Sequence, residues 1–296
     1  MRARIQDRIA TVVLTLIAVL IIGTLIGLLG FILTQGWHKL NLDFLTSPPD
    51  IINAGGGIGP QLFNSLYLLV LTMLIAMPLG LGAGIYMAEY APNNKFTQFI
   101  RMSIEVLSSL PSIVVGLFGL LVFVNMTGWG YTLISGALAL TVFNLPLLVR
   151  VTEDAIRNVP RSQKEASLAL GITKWRTIVS VILPAALPAI ITGAILASGR
   201  VFGEAAALLF TAGMSSPDLN FSSFSLNAPD SPLNPFRPAE TLAVHIWKVN
   251  SEGLAPDARE VADGAAAVLI IAVLLFNLSA RWFGSWVYKK MTSGSN

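Results

Sequence analysis

Twenty-five consecutive residues, Ile9–Leu33, pass without one charged side chain. A helix of about 20 apolar residues crosses about 30 Å of hydrocarbon, so this run is long enough to span a bilayer. Leu62–Ala88, Val106–Val124 and Tyr131–Val149 are charge-free as well, Pro184–Phe210 is apolar apart from Arg200 and Glu204, and Ala265–Ala280 is a shorter sixth run. Lipid gives backbone N–H and C=O groups no outside partner, so such runs fold as helices that satisfy their own backbones. Composition agrees: 12% of residues are charged, about half the share usual in soluble domains. The expectation is an all-α polytopic membrane protein with six transmembrane helices. The first run exceeds the roughly 7–15-residue apolar core of a secretory signal and reads as a retained helix.

Charge sets the orientation. Arg2, Arg4, Arg8, Lys95, Arg101, Arg150, Arg157, Arg161, Lys164, Lys174, Arg176, Arg281, Lys289 and Lys290 fall on the side of the N-terminus, against Lys39, Arg237, Lys248 and Arg259 on the other. An excess of Lys and Arg marks the cytoplasmic side, so both termini are expected there. The basic balance is thereby explained by topology, and nucleic acid is not expected as a partner. The segments are then 1–61, an N-terminal helix and outer loop; 62–283, a helical core with a cytoplasmic loop 150–184 and an outer loop 213–263; and 284–296, a cytoplasmic tail. The outer loop's "SSPDLNFSSFSLNAPDSPLNPFRP" is expected to be irregular, a specific contact surface or a plain spacer, followed by a short amphipathic helix in "AETLAVHIWKV" at the membrane surface. "NAGGGIGP", Asn53–Pro60, lacks the Lys-Ser/Thr of a phosphate-cradling loop and reads as flexible backbone.

The cytoplasmic loop carries the strongest motif, "EASLALGITKWRTIVSVILP", Glu165–Pro184. Helical spacing puts Ala166, Leu170 and Thr173 on one face. Gly171 breaks the helix, and a second helix returns to the membrane. The product is a small knob whose small-residue face suits a groove on another protein. This resembles the EAA loop of ABC importer permeases: Glu165, Ala166, Ser167, Gly171, Val181, Leu183 and Pro184 stand at the family's spacings, with Ser167 in place of Ala and Val181 in place of Ile. "MPLGLGAGIYMAEYAP", "LSSLPSIVVGLFGL" and "GRVFGEAAALLFTAG" are similar to phosphate-specific importer permeases, and "LLFNLSARW" to their PstA-type subunit. The likeness runs from about Gly55 to Arg281 and leaves out the Pro-rich outer loop.

The resemblance implies a type I ABC importer permease bundle in a bacterial plasma (inner) membrane, for phosphate or another small oxyanion such as molybdate or sulfate. It implies that Glu165, Ala166, Ser167, Gly171, Leu183 and Pro184 couple to an ATPase. It further implies a homologous PstC-type permease, a PstB-type ATPase dimer, and an external phosphate-binding protein as partners. ATP and Mg would be bound by that ATPase, because the chain has no G-x4-G-K-S/T and needs no cofactor of its own.

Arg200 and Glu204 stand four residues apart in the fifth apolar run. On a helix that spacing shares a face. Counted from Pro184, Arg200 lies sixteen residues along the run, about 24 Å at 1.5 Å per residue, in the outer half of the membrane. Intramembrane charges usually mark a site. Two readings stand: a structural ion pair, and an anion checkpoint in which the planar Arg fork meets phosphate oxygens while Glu204 holds the Arg between substrates. Arg150, Glu153 and Asp154, and Arg101 and Glu105, read as interfacial anchors.

Other classes find little support. With no cysteine and only two separated histidines, His38 and His245, no metal cluster or thiol chemistry is encoded. An intramembrane enzyme would call for clustered carboxylates or histidines near an interface. A stand-alone channel is separated from a permease by co-purification with a nucleotide-binding subunit.

Overall fold

The computed structural model describes residues 2–50, 52–222 and 224–293; of the segments marked out by sequence, residues 1, 51, 223 and 294–296 lie outside these. The first apolar run becomes α1 (Arg2–Gly36), which packs along the C-terminal helix and leaves the rest of its surface open. A short α2 (Leu42–Thr46) follows, opened by Asn41, whose side chain accepts the Phe44 N–H at 2.7 Å. The second run forms α3 (Gly59–Ile85), with Pro60 in its first turn where a missing N–H is harmless and Pro78 inside, and it closes in a π-helical turn, Tyr86–Tyr90.

The third run is not one straight helix. An amphipathic α4 (Lys95–Ser108) and α5 (Ser112–Gly119), which continues as π-helical Leu120–Met126, meet at 100°. Pro111 stands at the corner, and a proline disfavours helical geometry in the residue before it, so the run Val106–Val124 turns where the charge-free reading had it continue. Next come α6 (Leu133–Arg157), α7 (Arg161–Ala169), α8 (Lys174–Thr177), which passes through a π-helical turn Ile178–Ile182 into α9 (Leu183–Phe202), and α10 (Ala206–Leu209). After the outer loop, α11 (Leu242–Glu252) and α12 (Ala258–Ser293) complete the chain. Among the described residues five helices are long and apolar enough to cross a membrane, and the bent α4–α5 pair makes a sixth crossing.

The centre of the bundle is α6, which packs against α3 on one side and α9 on the other, with α12 against α9. Its core joins Leu68 of α3, Leu140 and Phe143 of α6, Phe202 of α9, Leu208 of α10 and Val244 of α11. Lipid tails are as apolar as these side chains, so close packing rather than water exclusion holds the spans together.

The outer loop is irregular, as its composition predicts, and it is bolted down. Arg237 is 2% exposed. Its guanidinium donates to the Ser231 carbonyl at 3.1 Å, the Pro232 carbonyl at 3.1 Å, the Pro238 carbonyl at 3.3 Å and Asn64 Oδ1 at 2.8 Å. Burial pushes its pKa down to about 10, still charged at neutral pH. Asn64 in turn donates to the Glu240 carbonyl at 2.9 Å, and Gln61 donates to the Glu240 carboxylate at 3.1 Å. A free spacer would make none of these bonds. α11 occurs as expected and packs on α12 and α3. The glycine turn before α3 is tight rather than loose: a Cβ on Gly57 would lie 2.5 Å from the Ser47 carbonyl oxygen and 2.8 Å from that of Phe44. Backbone approach, not flexibility, demands glycine there.

Candidate functional site

Two places concentrate the features singled out by sequence: the projecting elbow and the break in the fifth crossing. In the elbow, α7 ends at Ala169 and Gly171 takes φ +75°, the left-handed conformation that glycine adopts without a Cβ penalty. Nothing lies within 4 Å of a Cβ built there, so the requirement is conformational alone. The two arms are locked by a hydroxyl pair, Ser167 Oγ and Thr177 Oγ1, 2.9 Å apart and both buried. Glu165, Ala166 and Gly171 are exposed, and Leu170 at the tip is 80% exposed, with Leu168 and Trp175 open beside it. Apolar side chains grouped on a projection away from the bundle mark a contact surface.

The six residues to which the family resemblance gives a coupling role therefore divide. Glu165, Ala166 and Gly171 lie on the open face. Ser167 points inward to Thr177, Leu183 packs on the cluster of Ala155, Ile156, Ile178 and Ile182, and Pro184 sits in the first turn of α9. Ser167 is thereby withdrawn from the surface, while Leu183 and Pro184 are half-buried.

The break in the fifth crossing overturns the shared-face geometry of Arg200 and Glu204. α9 ends at Phe202, Gly203 caps it, and Glu204 lies in the unwound link to α10. Four residues no longer equal one turn once the helix has stopped. No ion pair within 4 Å joins the two among the described residues. Instead the Arg200 guanidinium carbon stands 3.6 Å from the centroid of the Phe143 ring, and a Glu204 carboxylate oxygen accepts the Ala207 N–H at 3.3 Å, steadying the start of α10. Phe143 is ten residues from the Leu133 end of α6 and fourteen from its Arg157 end, about 15 Å and 21 Å at 1.5 Å per residue. Arg200 is thus held beside the middle third of α6, at the C-terminal end of a discontinuous helix. Unwound backbone within a membrane is tolerated only in contact with protein or a wet cavity, and broken helices are a usual setting for solute sites.

On the elbow side of α6, the charged residues read as anchors cross-link two helices. Glu153 is 7% exposed and accepts from Arg101 of α4 at 2.8 Å and lies 3.0 Å from Arg157. Arg150 lies 3.4 Å from Glu105 and 3.9 Å from Asp154. The Arg101–Glu153 and Arg150–Glu105 pairs fix α4 against α6. On the opposite side His245, which the sequence offers only as one of two separated histidines, is buried with Nδ1 3.3 Å from Glu240 Oε1. A carboxylate only accepts, so Nδ1 carries the proton. Lys248 lies 3.5 Å from the same oxygen.

Comparison with known proteins gives these features a setting. The family described as "Binding-protein-dependent transport system inner membrane component" matches residues 80–293. The chain is 62% identical over 293 residues to a probable ABC transporter permease protein, YqgI, of Bacillus subtilis, covering 99% of this chain and all of that one. It is 34% identical to the phosphate transport system permease protein PstA of Yersinia pestis, over 94% of this chain and 90% of the relative. Among solved structures, a bacterial alginate ABC transporter in complex with a pentasaccharide-bound periplasmic protein aligns with TM-score 0.62 and 15% identity, over 95% of this chain and 94% of that one. The MetNI methionine ABC transporter in an inward-facing conformation aligns with TM-score 0.58 and 18% identity, over 77% and 93%.

Proposed function

We propose that this chain, which belongs to the family of binding-protein-dependent transport system inner membrane components, is the permease subunit of an ATP-driven importer for inorganic phosphate. As an ABC importer permease with a type I fold it supplies membrane path rather than chemistry. In the proposed complex a homologous permease completes the path, an ATPase pair grips the elbow, and an external binding protein delivers the anion. ATP and Mg belong to the ATPase. The orientation that goes with this reading puts both termini and the elbow in the cytoplasm, in line with the Lys and Arg asymmetry.

The observation that carries the coupling half of the proposal is the elbow: a left-handed glycine turn offering exposed Ala166, Leu168 and Leu170 outside the bundle. The cargo half rests on the PstA relatives and on Arg200, a cation beside the middle third of α6 at a helix break. ATP-driven closure would move the elbow and rock packed helices between two arrangements. At the break, the guanidinium's five donors suit a tetrahedral oxyanion, and the Phe143 ring holds the cation in place between anions.

The test is ATP hydrolysis by the complex reconstituted with its ATPase, partner permease and binding protein. Phosphate is expected to stimulate it, and sulfate and molybdate are not. Stimulation by sulfate or molybdate instead would reassign the cargo and leave the permease reading intact. Absence of any bound ATPase would remove both.

A further inference from the structure

We propose that Glu89 is the joint through which the elbow moves α3, a positioning residue for coupling that lies outside the elbow motif. The elbow is covalently continuous with α6 and α9, and nothing in chain order links it to α3. Beside the apolar cluster of Ala155, Ile156, Ile178 and Ile182, on which Leu81, Ile85 and Ala88 pack, the fold gathers polar links on one residue. Glu89 sits in the π-helical turn that ends α3, and its carboxylate, 6% exposed, is paired with Lys164 Nζ of α7. Its backbone carbonyl accepts from Lys174 Nζ of α8, and the same ammonium stands 4.4 Å over the ring of Tyr90. Both arms of the elbow, before and after Gly171, therefore close on one turn of α3, 75 and 85 residues away in sequence.

Two further features make the joint stiff. The arms are fastened to each other by Ser167 and Thr177, so a push on either reaches both lysines. A buried carboxylate that lost its ammonium would be left uncompensated in a poor solvent for charge, so the pair does not part freely. At its far end α3 is fastened to the outer loop: Gln61 to Glu240, Asn64 to Arg237 and Ser65 Oγ to the Leu242 N–H at 2.8 Å. α3 is thus a rod with a fixed attachment at each end, and Glu89 is its inner one. A displaced elbow would carry α3 with it and through α3 reach the outer loop. The proposal rests on the reading of the elbow as an ATPase-docking element.

The chain has no cysteine, which gives a clean background for paired spin labels. Labels at Leu74→Cys on α3 and Leu278→Cys on α12, both exposed positions, report how α3 moves in the assembled complex on addition of ATP. The expected result is a shift of the distance distribution in the otherwise native chain, its loss in Glu89→Gln with the ATPase still bound at native stoichiometry, and its return in the charge-exchanged double variant Glu89→Lys/Lys164→Glu. A full shift in Glu89→Gln overturns the proposal, as does loss of the bound ATPase in that variant, which would make Glu89 only a part of the elbow's own fold. A loss that charge exchange does not restore overturns it too. The readout needs no transported solute, so a wrong cargo leaves it unaffected; a native chain that retains no ATPase would instead remove the docking reading itself.

Discussion

Arg200 stands with its guanidinium carbon 3.6 Å from the centroid of the Phe143 ring, and among the described residues no ion pair within 4 Å joins it to Glu204, the residue four positions on. The cation is held by an aromatic face on α6, and among the described residues no carboxylate lies within ion-pair distance of its donors. An aromatic face attracts a cation by about 0.5–2 kcal/mol, enough to position it and too little to hold it against an anion.

Arg200 substitutions should separate charge from geometry. Arg200→Ala is expected to abolish anion-stimulated ATP hydrolysis and uptake while leaving the subunits assembled. Arg200→Lys keeps the charge without the planar fork and should retain a minor fraction. Phe143→Leu, which removes about 1 kcal/mol of cation–π attraction from the anion-free state, is expected to tighten apparent anion affinity about fivefold. Uptake by proteoliposomes measures all three; native rates in Arg200→Ala would show that the break is only structural.

Gly171 gives a graded test of the elbow. A non-glycine residue in the left-handed region costs roughly 1–2 kcal/mol, with Asn the best tolerated and β-branched residues the worst. Because no neighbour crowds the position, strain alone sets the order. Co-purification of the ATPase is expected to survive Gly171→Asn and to fail in Gly171→Val, with the transmembrane part folded in both.

Arg237 anchors the outer loop. Arg237→Leu leaves Asn64 Oδ1 and the Ser231 and Pro232 carbonyls without their donor. A buried acceptor left without its donor costs about 1–3 kcal/mol. Thermal unfolding in detergent should show a lowered midpoint, and limited proteolysis should cut the segment 213–241 that is protected in the native chain.

Glu240 ties stability to pH. Burial pushes its carboxyl up, but the hydrogen bond and charge of His245, the Gln61 amide and the Lys248 ammonium together outweigh burial and hold it below its ordinary 4.5. A depressed carboxyl stabilises the folded state above its unfolded pKa, and that stabilisation is lost as pH falls through the folded value. The native chain is therefore expected to melt higher than Glu240→Gln at pH 7, with the two converging once the pH falls well below 4.5. A constant gap between the two melting curves from pH 7 to pH 3 would contradict the assignment.

The crossings and the elbow were legible in the chain because each is a local demand. Hydrocarbon requires an unbroken apolar run about 20 residues long, and a reversal after α7 requires a residue that accepts φ +75°, which Gly171 does. Even there the reading reached only so far: Ser167 and Leu183 fit the motif, yet only their packing shows that they face inward. The bend between α4 and α5 had its signal in Pro111, masked by an apolar run that continues through it.

What tertiary structure alone decided is how charges find each other. Spacing placed Arg200 and Glu204 on one face only if the helix continued; it ends because Gly203 caps it and residues 206–209 turn to pack on α5. Glu89 at the end of an apolar run, Arg237 in a Pro-rich loop and His245 in a short helix each look ordinary in sequence. Their partners lie 75, 173 and 5 residues away, and all three acquire their roles from burial. A side chain's periodicity records the solvent its own helix face meets, whereas the energy of a buried charge depends on which distant segment closes over it.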